Sequence, residues 1–142
     1  MSAEPVVVDA LDEAQRACAR TVRRRVFVEE QGVPEALEID ALDDSCDHVL
    51  ALVEGEPVGA ARYRRTDAGV KLERVAVLSA QRGRGVGEAI VAHIHDRLPE
   101  GSRAYVHAQE SAYGFWERVG YVAEGEVFHE ADIPHRRMAR RG

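Results

Sequence analysis

The chain has 142 residues, 45% of them hydrophobic and 31% charged, which predicts one soluble globular domain over 1–142 rather than a disordered or fibrous chain. A formal charge of −6 argues against nucleic acid as the main ligand, because neutralising phosphates demands a net basic surface. Cys18 and Cys46, the two cysteines, lack Cys-x-x-Cys spacing, which argues against a disulfide-stapled secreted scaffold and predicts a reducing cytoplasm.

In chain order, Val6–Val8 predicts a short strand, and Asp9 is expected to cap a helix from about Leu11 to Glu30. The first twenty residues hold no apolar stretch fit for a signal peptide, and no later segment nears the roughly twenty apolar residues that span a bilayer. No membrane partner is therefore expected. Between Glu29 and Asp47 stand eight acids and no Lys or Arg, interrupted by Gly32 and Pro34, which predicts an acidic, loop-rich connection with one short helix. Two alternatives stay open there: solvated charge, or a field that attracts a cationic amine.

Three runs, His48–Val53, Val58–Arg65 and Val70–Leu78, are separated by Gly- and Pro-bearing turns and predict an antiparallel meander. The segment SAQRGRGVG then leads into EAIVAHIHDRL, where Ala89, Ile90, His93, Ile94, Arg97 and Leu98 give helical spacing before Pro99 and Gly101 end it. His93 and His95 are two apart on this helix and do not share a face, so no metal pair is expected. Ala104–Ala108 predicts a strand, Ser111–Val119 a helix stopped by Gly120, and Tyr121–Ala123 and His135–Arg140 two closing strands.

The turn Arg82-Gly83-Arg84-Gly85-Val86-Gly87 lies between an apolar strand and an amphipathic helix. Free backbone N–H groups converge at such a junction, and glycines let a ligand approach the main chain, so this is an anion site. No Gly-Lys-Ser/Thr follows, so it is not a Walker loop. Glu88 stands where a dinucleotide fingerprint needs its third glycine. A tight turn with Arg82 and Arg84 merely solvated remains the bland alternative.

With these residues the sequence resembles the GNAT superfamily of acyl-CoA-dependent N-acetyltransferases, whose diphosphate pattern is Gln/Arg-x-x-Gly-x-Gly/Ala. The likeness extends into Glu73-Arg74-Val75-Ala76-Val77 upstream and Ala108–Tyr121 downstream, where Phe115-Trp116-Glu117 matches the family's Phe-Tyr-Glu. The segments Arg23–Gly32 and Phe128–His135 are similar to the ElaA-like branch. The resemblance implies an α/β (α+β) GNAT fold: a mixed, strongly twisted sheet of about six or seven strands flanked by about four helices. It further implies that the fourth and fifth strands splay apart around the pantetheine arm of acetyl-CoA.

By the same resemblance, Val75, Ala76 and Val77 offer backbone groups to pantetheine. Arg82, Gly83, Arg84, Gly85, Val86 and Gly87 carry the pyrophosphate, and Gln109 and Trp116 lie beside the cofactor. An alkylamine of pKa about 10.4 is less than about 0.1% neutral at pH 7, so a base is useful. Glu73 is the expected base, its alternative an ordinary strand carboxylate paired with Arg62 or Arg74. Trp116 cannot supply the phenolic proton that the family's tyrosine gives the leaving thiolate, and Tyr113, one turn earlier, is the candidate substitute. His48 and His107 are candidates to face the cleft, and Glu130 and His135 to line the acceptor pocket. The expected activity is acetyl transfer from acetyl-CoA to a small-molecule or peptide amine, with no metal. A non-catalytic acyl-CoA sensor and a nucleotide-binding oxidoreductase are the competing readings.

Overall fold

A computed structural model describes residues 4–140, so the ends of the domain expected over 1–142 lie outside the described residues. Seven strands run in the order β1-β2-β3-β4-β5-β7-β6, with four α-helices between them. The chain divides into two compact units, one holding the residues up to Arg64 with Arg74–Leu98, the other Arg65–Glu73 with Pro99 onward.

In the first unit, β1 (Val6–Asp9) pairs antiparallel with β2 (Asp47–Val53), which pairs antiparallel with β3 (Glu56–Thr66). Helix α1 (Glu13–Arg23) begins at Asp12 rather than at the expected Asp9. The Asp12 carboxylate accepts the Gln15 N–H at 2.7 Å while Gln15 Oε1 accepts the N–H groups of Leu11 and Asp12, a reciprocal capping box. Asp9 ends β1 instead, and its carboxylate accepts from His93 Nε2 at 2.8 Å and Arg97 Nε at 3.0 Å. The helix expected to reach Glu30 does so in two parts, since Arg24–Glu30 widens into a π-helical segment. Ala19, Val22 and Val26 bury one stripe of this rod against Ala10, Leu50, Ala60 and Ala76.

Helix α2 (Glu35–Glu38) and a 3₁₀ turn at Asp43–Ser45 occupy the acidic connection. Strand β4 (Gly69–Val77) is followed by a turn and helix α3 (Val86–Arg97), which turns Val86, Ile90, Val91 and Ile94 inward. Gly59 on β3 lets α3 sit close, because a Cβ there would lie 2.9 Å from Ile90 Cδ1 and 3.0 Å from Val86 Cγ1.

In the second unit, the start of β4 pairs parallel with β5 (Ala104–Gln109) at Val70↔Ala104 and Lys71↔Tyr105. Gly69, at φ 133°, is required where a Cβ would collide with the Arg103 carbonyl. Helix α4 (Tyr113–Arg118) follows a 3₁₀ turn at Glu110–Ala112, so the helix expected over Ser111–Val119 is shorter and its first turn tighter. Strand β6 (Tyr121–Glu130) pairs with β7 (Ile133–Arg140), and β7 pairs with β5, both antiparallel. The expected closing strands at Tyr121–Ala123 and His135–Arg140 are thus extended. β6 runs on because a register shift between Glu124 and Phe128 absorbs the polar Glu124-Gly125-Glu126 stretch that breaks its alternation.

Candidate active site

In the first unit, the second half of β4 brings Val75, Ala76 and Val77 to the glycine turn. Arg74, immediately before them, is left-handed at φ 57°, a conformation that costs a non-glycine residue about 1–2 kcal/mol. Its side chain is held from three directions: Nε lies 2.9 Å from Glu38 Oε2, while Nη2 donates to the Leu37 carbonyl at 3.0 Å and lies 3.5 Å from Asp40.

Glu38 belongs to a buried ionic network inside the acidic segment. Arg23, fully buried, sits 3.1 Å from Glu38 and 2.8 Å from Asp43. Arg62, also buried, donates to Asp40 at 2.8 and 2.9 Å and to Asp43 at 3.0 Å. The hydrogen bonds from Arg62 hold the Asp40 carboxyl down at about 2 against the opposing effect of burial. For Asp43, burial pushes up, and Arg23, Arg62 and Arg20 together outweigh it. This corrects both readings of the acidic stretch for its central residues: Glu38 and Asp43 are neither solvated nor offered outward, but neutralised by arginines. Arg62 and Arg74, the partners expected for Glu73 as an ordinary strand carboxylate, both reach into this network. His48 is buried with Nε2 2.7 Å from the Asp43 carbonyl, and burial lowers its pKa.

Arg82 opens the turn and is clamped. Its guanidinium meets the Glu30 carboxylate at 2.6 and 2.8 Å, and its Nε donates to the Val77 carbonyl at 2.9 Å. The hydrogen bond from Arg82 holds Glu30 below its ordinary range. Arg84 is exposed. Gly83 and Gly85 adopt φ 77° and 83°, and nothing lies within 4 Å of where a Cβ on Gly83 would stand. Gly85 is the N-cap of α3 and makes no side-chain cap bond, so the leading amides of Val86, Gly87 and Glu88 carry no side-chain acceptor. Positive helix-end dipole, open glycines and bare amides meet there, and a phosphate fits that set.

In the second unit, Glu73 is nearly buried and lies 3.0 Å from Lys71 Nζ, a partner that the sequence reading missed. The signal was available, since residues two apart on a strand share a face and Lys71 is the one lysine of the chain. Gln109 ends β5 opposite His135 on β7. Tyr113 is the first residue of α4. Trp116 is 6% exposed, with its ring edge-on to Tyr121 at 4.9 Å and to Phe115 at 5.1 Å, so most of its surface serves the interior.

His107 Nδ1 lies 3.1 Å from Glu130 Oε1. This hydrogen bond lowers the Glu130 pKa, aided by the charges of Lys71 and His135. The Phe128 ring stands edge-on to His107 at 4.9 Å and stacks on His135 at 6.1 Å. His135 Nδ1 donates to the Ile133 carbonyl at 2.7 Å. An open hollow of about 450 Å³ is lined by His107, Glu124, Gly125, Glu126, Phe128 and Arg137.

Among the described residues no cluster of His, Cys, Asp or Glu is arranged to hold a metal ion, and no helix is long and apolar enough to cross a membrane.

Comparison with known proteins agrees with this geometry. A family model described as an acetyltransferase (GNAT) domain matches residues 9–141. The chain is 38% identical over 136 residues to a Bacillus subtilis (strain 168) protein designated N-acetyltransferase YjcF, covering 94% of this chain and 97% of the relative. The structure of an acyl-CoA N-acyltransferase from Pseudomonas aeruginosa superposes with a TM-score of 0.82 at 30% identity, over 99% of this chain and 100% of the other. Escherichia coli ElaA is 30% identical over 126 residues, covering 84% of this chain and 82% of ElaA. Its crystal structure gives a TM-score of 0.82 over 98% of this chain and 99% of the other. An open mixed sheet of seven strands with four helices, a glycine turn on α3 and a family match over nearly its whole length lead to one assignment: the chain belongs to the GNAT acetyltransferase family, in its ElaA-like branch, and is an acyltransferase.

Proposed function

We propose that this protein transfers an acetyl group from acetyl-CoA to a primary amine of a small molecule or peptide, by direct attack on the thioester, as a single cytoplasmic domain over 1–142. One observation carries the reading: β4 feeds a turn in which Gly83 and Gly85 are left-handed and the first amides of α3 are left without a side-chain cap. Acetyl-CoA supplies an activated thioester, and the chain's residues bind, orient and move protons around it. The relative named as an acyl-CoA N-acyltransferase supports the choice of donor.

The main-chain amides of Gly83 to Gly87 hold the pyrophosphate through charge-assisted bonds, each worth about 1.5–3 kcal/mol. Arg82, anchored to Glu30 and Val77, fixes the turn, and Arg84 meets the nucleotide phosphates. Val75 and Ala76 offer backbone groups to pantetheine, with Val77 sharing its carbonyl with Arg82. Gln109 contributes its amide, and Trp116 steadies α4 beside the cofactor. Glu73 accepts a proton from the acceptor nitrogen as the carbon–nitrogen bond forms. Tyr113 returns one to the leaving sulfur.

Calorimetric titration tests the binding half. Saturable binding of CoA and acetyl-CoA is expected, at least tenfold weaker in Gly85→Val because a β-branched residue resists positive φ. No heat of binding at millimolar CoA overturns the proposal. Thiol release over an amine panel tests the catalytic half, with Glu73→Gln and Tyr113→Phe compared with the parent.

A further inference from the structure

Four non-glycine residues stand at positive φ among the described residues. Glu54 falls in the two-residue link between β2 and β3, and Ala131 and Asp132 form that between β6 and β7, where hairpin turns require such angles. Arg74 is different: it lies inside β4, where the sheet calls for an extended backbone. A glycine would adopt φ 57° freely, yet this position carries a long charged side chain. Strain of that kind persists only where the surroundings over-determine it.

Here the surroundings are the acidic segment. Besides its contacts to Glu38 Oε2, the Leu37 carbonyl and Asp40, Arg74 donates through Nε to the Glu38 carbonyl at 3.4 Å. Glu38 is itself held, since its side chain is fully buried and its other oxygen lies 3.1 Å from Arg23, which in turn lies 2.8 Å from Asp43. A chain of alternating charge thus runs from α1 through the acidic segment to β4. Two residues beyond Arg74, Ala76 belongs to the same buried cluster as Ala19 and Val22 of α1. The backbone between Arg74 and Ala76 is therefore pinned at both ends, by ion pairs at one and by apolar packing at the other. A left-handed residue within a strand turns the peptide group that follows it out of the regular ladder. The group so turned is the Arg74–Val75 peptide, at the start of the stretch read above as meeting pantetheine. Fixing a binding backbone in advance spares the ligand the cost of ordering it.

We propose that Glu38 and Arg74 form a strut that holds the Arg74–Val75 peptide in its turned orientation, which makes both of them positioning residues for the pantetheine arm. This rests on the acetyl-CoA reading above. The strut acts through the backbone angle, so two roles of Arg74 separate: alanine removes the anchor and keeps the strain, whereas glycine removes both.

The test compares the full-length parent with Arg74→Ala and Arg74→Gly, measuring CoA affinity by calorimetry. Glu38 keeps Arg23 as its partner in both variants. Arg74→Ala is expected to lose about tenfold in affinity, equivalent to about 1.4 kcal/mol, as the released backbone relaxes to an extended angle. Arg74→Gly is expected to recover to within about threefold of the parent although it lacks the same ion pairs, because glycine takes positive φ as readily as negative. Parental affinity in Arg74→Ala overturns the strut, and so does a loss as large in Arg74→Gly, which would assign the effect to the side chain itself. Failure of the parent to bind CoA overturns the donor reading instead. The strut is then judged on a crystal structure of Arg74→Ala: residue 74 is expected to be extended, and a residue still left-handed overturns the anchor. If Arg74→Ala does not fold, the structure and CoA affinity of Arg74→Gly decide. A glycine that straightens while CoA binds as in the parent overturns the strut, and affinity kept or lost together with the angle upholds it.

Discussion

Asp40 shows how much of the first unit's electrostatics depends on single arginines. Hydrogen bonds from Arg62 hold its carboxyl at about 2, below the ordinary aspartate range. A depressed carboxylate stabilises the fold above its unfolded pKa and loses that contribution as pH falls through the folded one. The window is therefore pH 4 to 2, and the contribution, allowing for screening at a partly exposed site, is about 1–2 kcal/mol. Asp40→Asn is expected to remove that part of the acid-unfolding slope while leaving stability between pH 1 and 2 little changed, as read by urea denaturation at each pH. Glu38 is the more severe position, since it faces both Arg23 and Arg74 from a fully buried site. Glu38→Gln leaves buried guanidinium charge uncompensated, and a loss of about 3–5 kcal/mol in the same experiment is expected. Wild-type stability in that variant would mean that the network is slack.

At the scale of elements, α3 and the strands beneath it form one assembly, because Gly59 lets the helix approach closely. Gly59→Val is expected to cost about 1–3 kcal/mol through overpacking against Ile90 and Val86. Since Val86 follows the turn, the same change should weaken CoA binding, and calorimetry beside denaturation checks the pairing of effects. The elements themselves were largely legible in the sequence. Alternation, Gly- and Pro-bearing turns and the 3.6-residue spacing of Ile90 and Ile94 are local signals, and the strands and α3 follow from them. What was hidden depends on distant partners. Asp9 was expected to cap the first helix, but His93 and Arg97, more than eighty residues later, recruit it, and Asp12 caps the helix instead. The acidic segment reads as solvated charge or as a field for a cationic amine until Arg23, Arg62 and Arg74 reach into it. The candidate site divides in the same way: the glycine turn and the i, i+2 spacing of Lys71 and Glu73 were visible as strings, whereas the clamp of Glu30 on Arg82 required the fold.

For the whole molecule, ligand binding and stability are linked. If CoA binds only the folded chain, a concentration of 100 times its Kd adds about 2.7 kcal/mol and raises the Tm accordingly. A rise with CoA and none with NADH is expected in a thermal-shift titration, and the absence of a rise with CoA would overturn the proposed donor.

Lys71 has a consequence of another kind. It is the chain's single lysine, its side chain is 12% exposed, and its ammonium is tied to Glu73. Every other basic side chain that is not histidine is a guanidinium, which stays protonated and is a poor target for acyl donors. On the acetyl-CoA reading proposed above, the chain is thereby built almost without side-chain amines that the thioester could consume in self-modification. Intact-mass and peptide analysis after exposure to an acetylating reagent should find Lys71 unmodified in the native protein and acetylated once the chain is denatured.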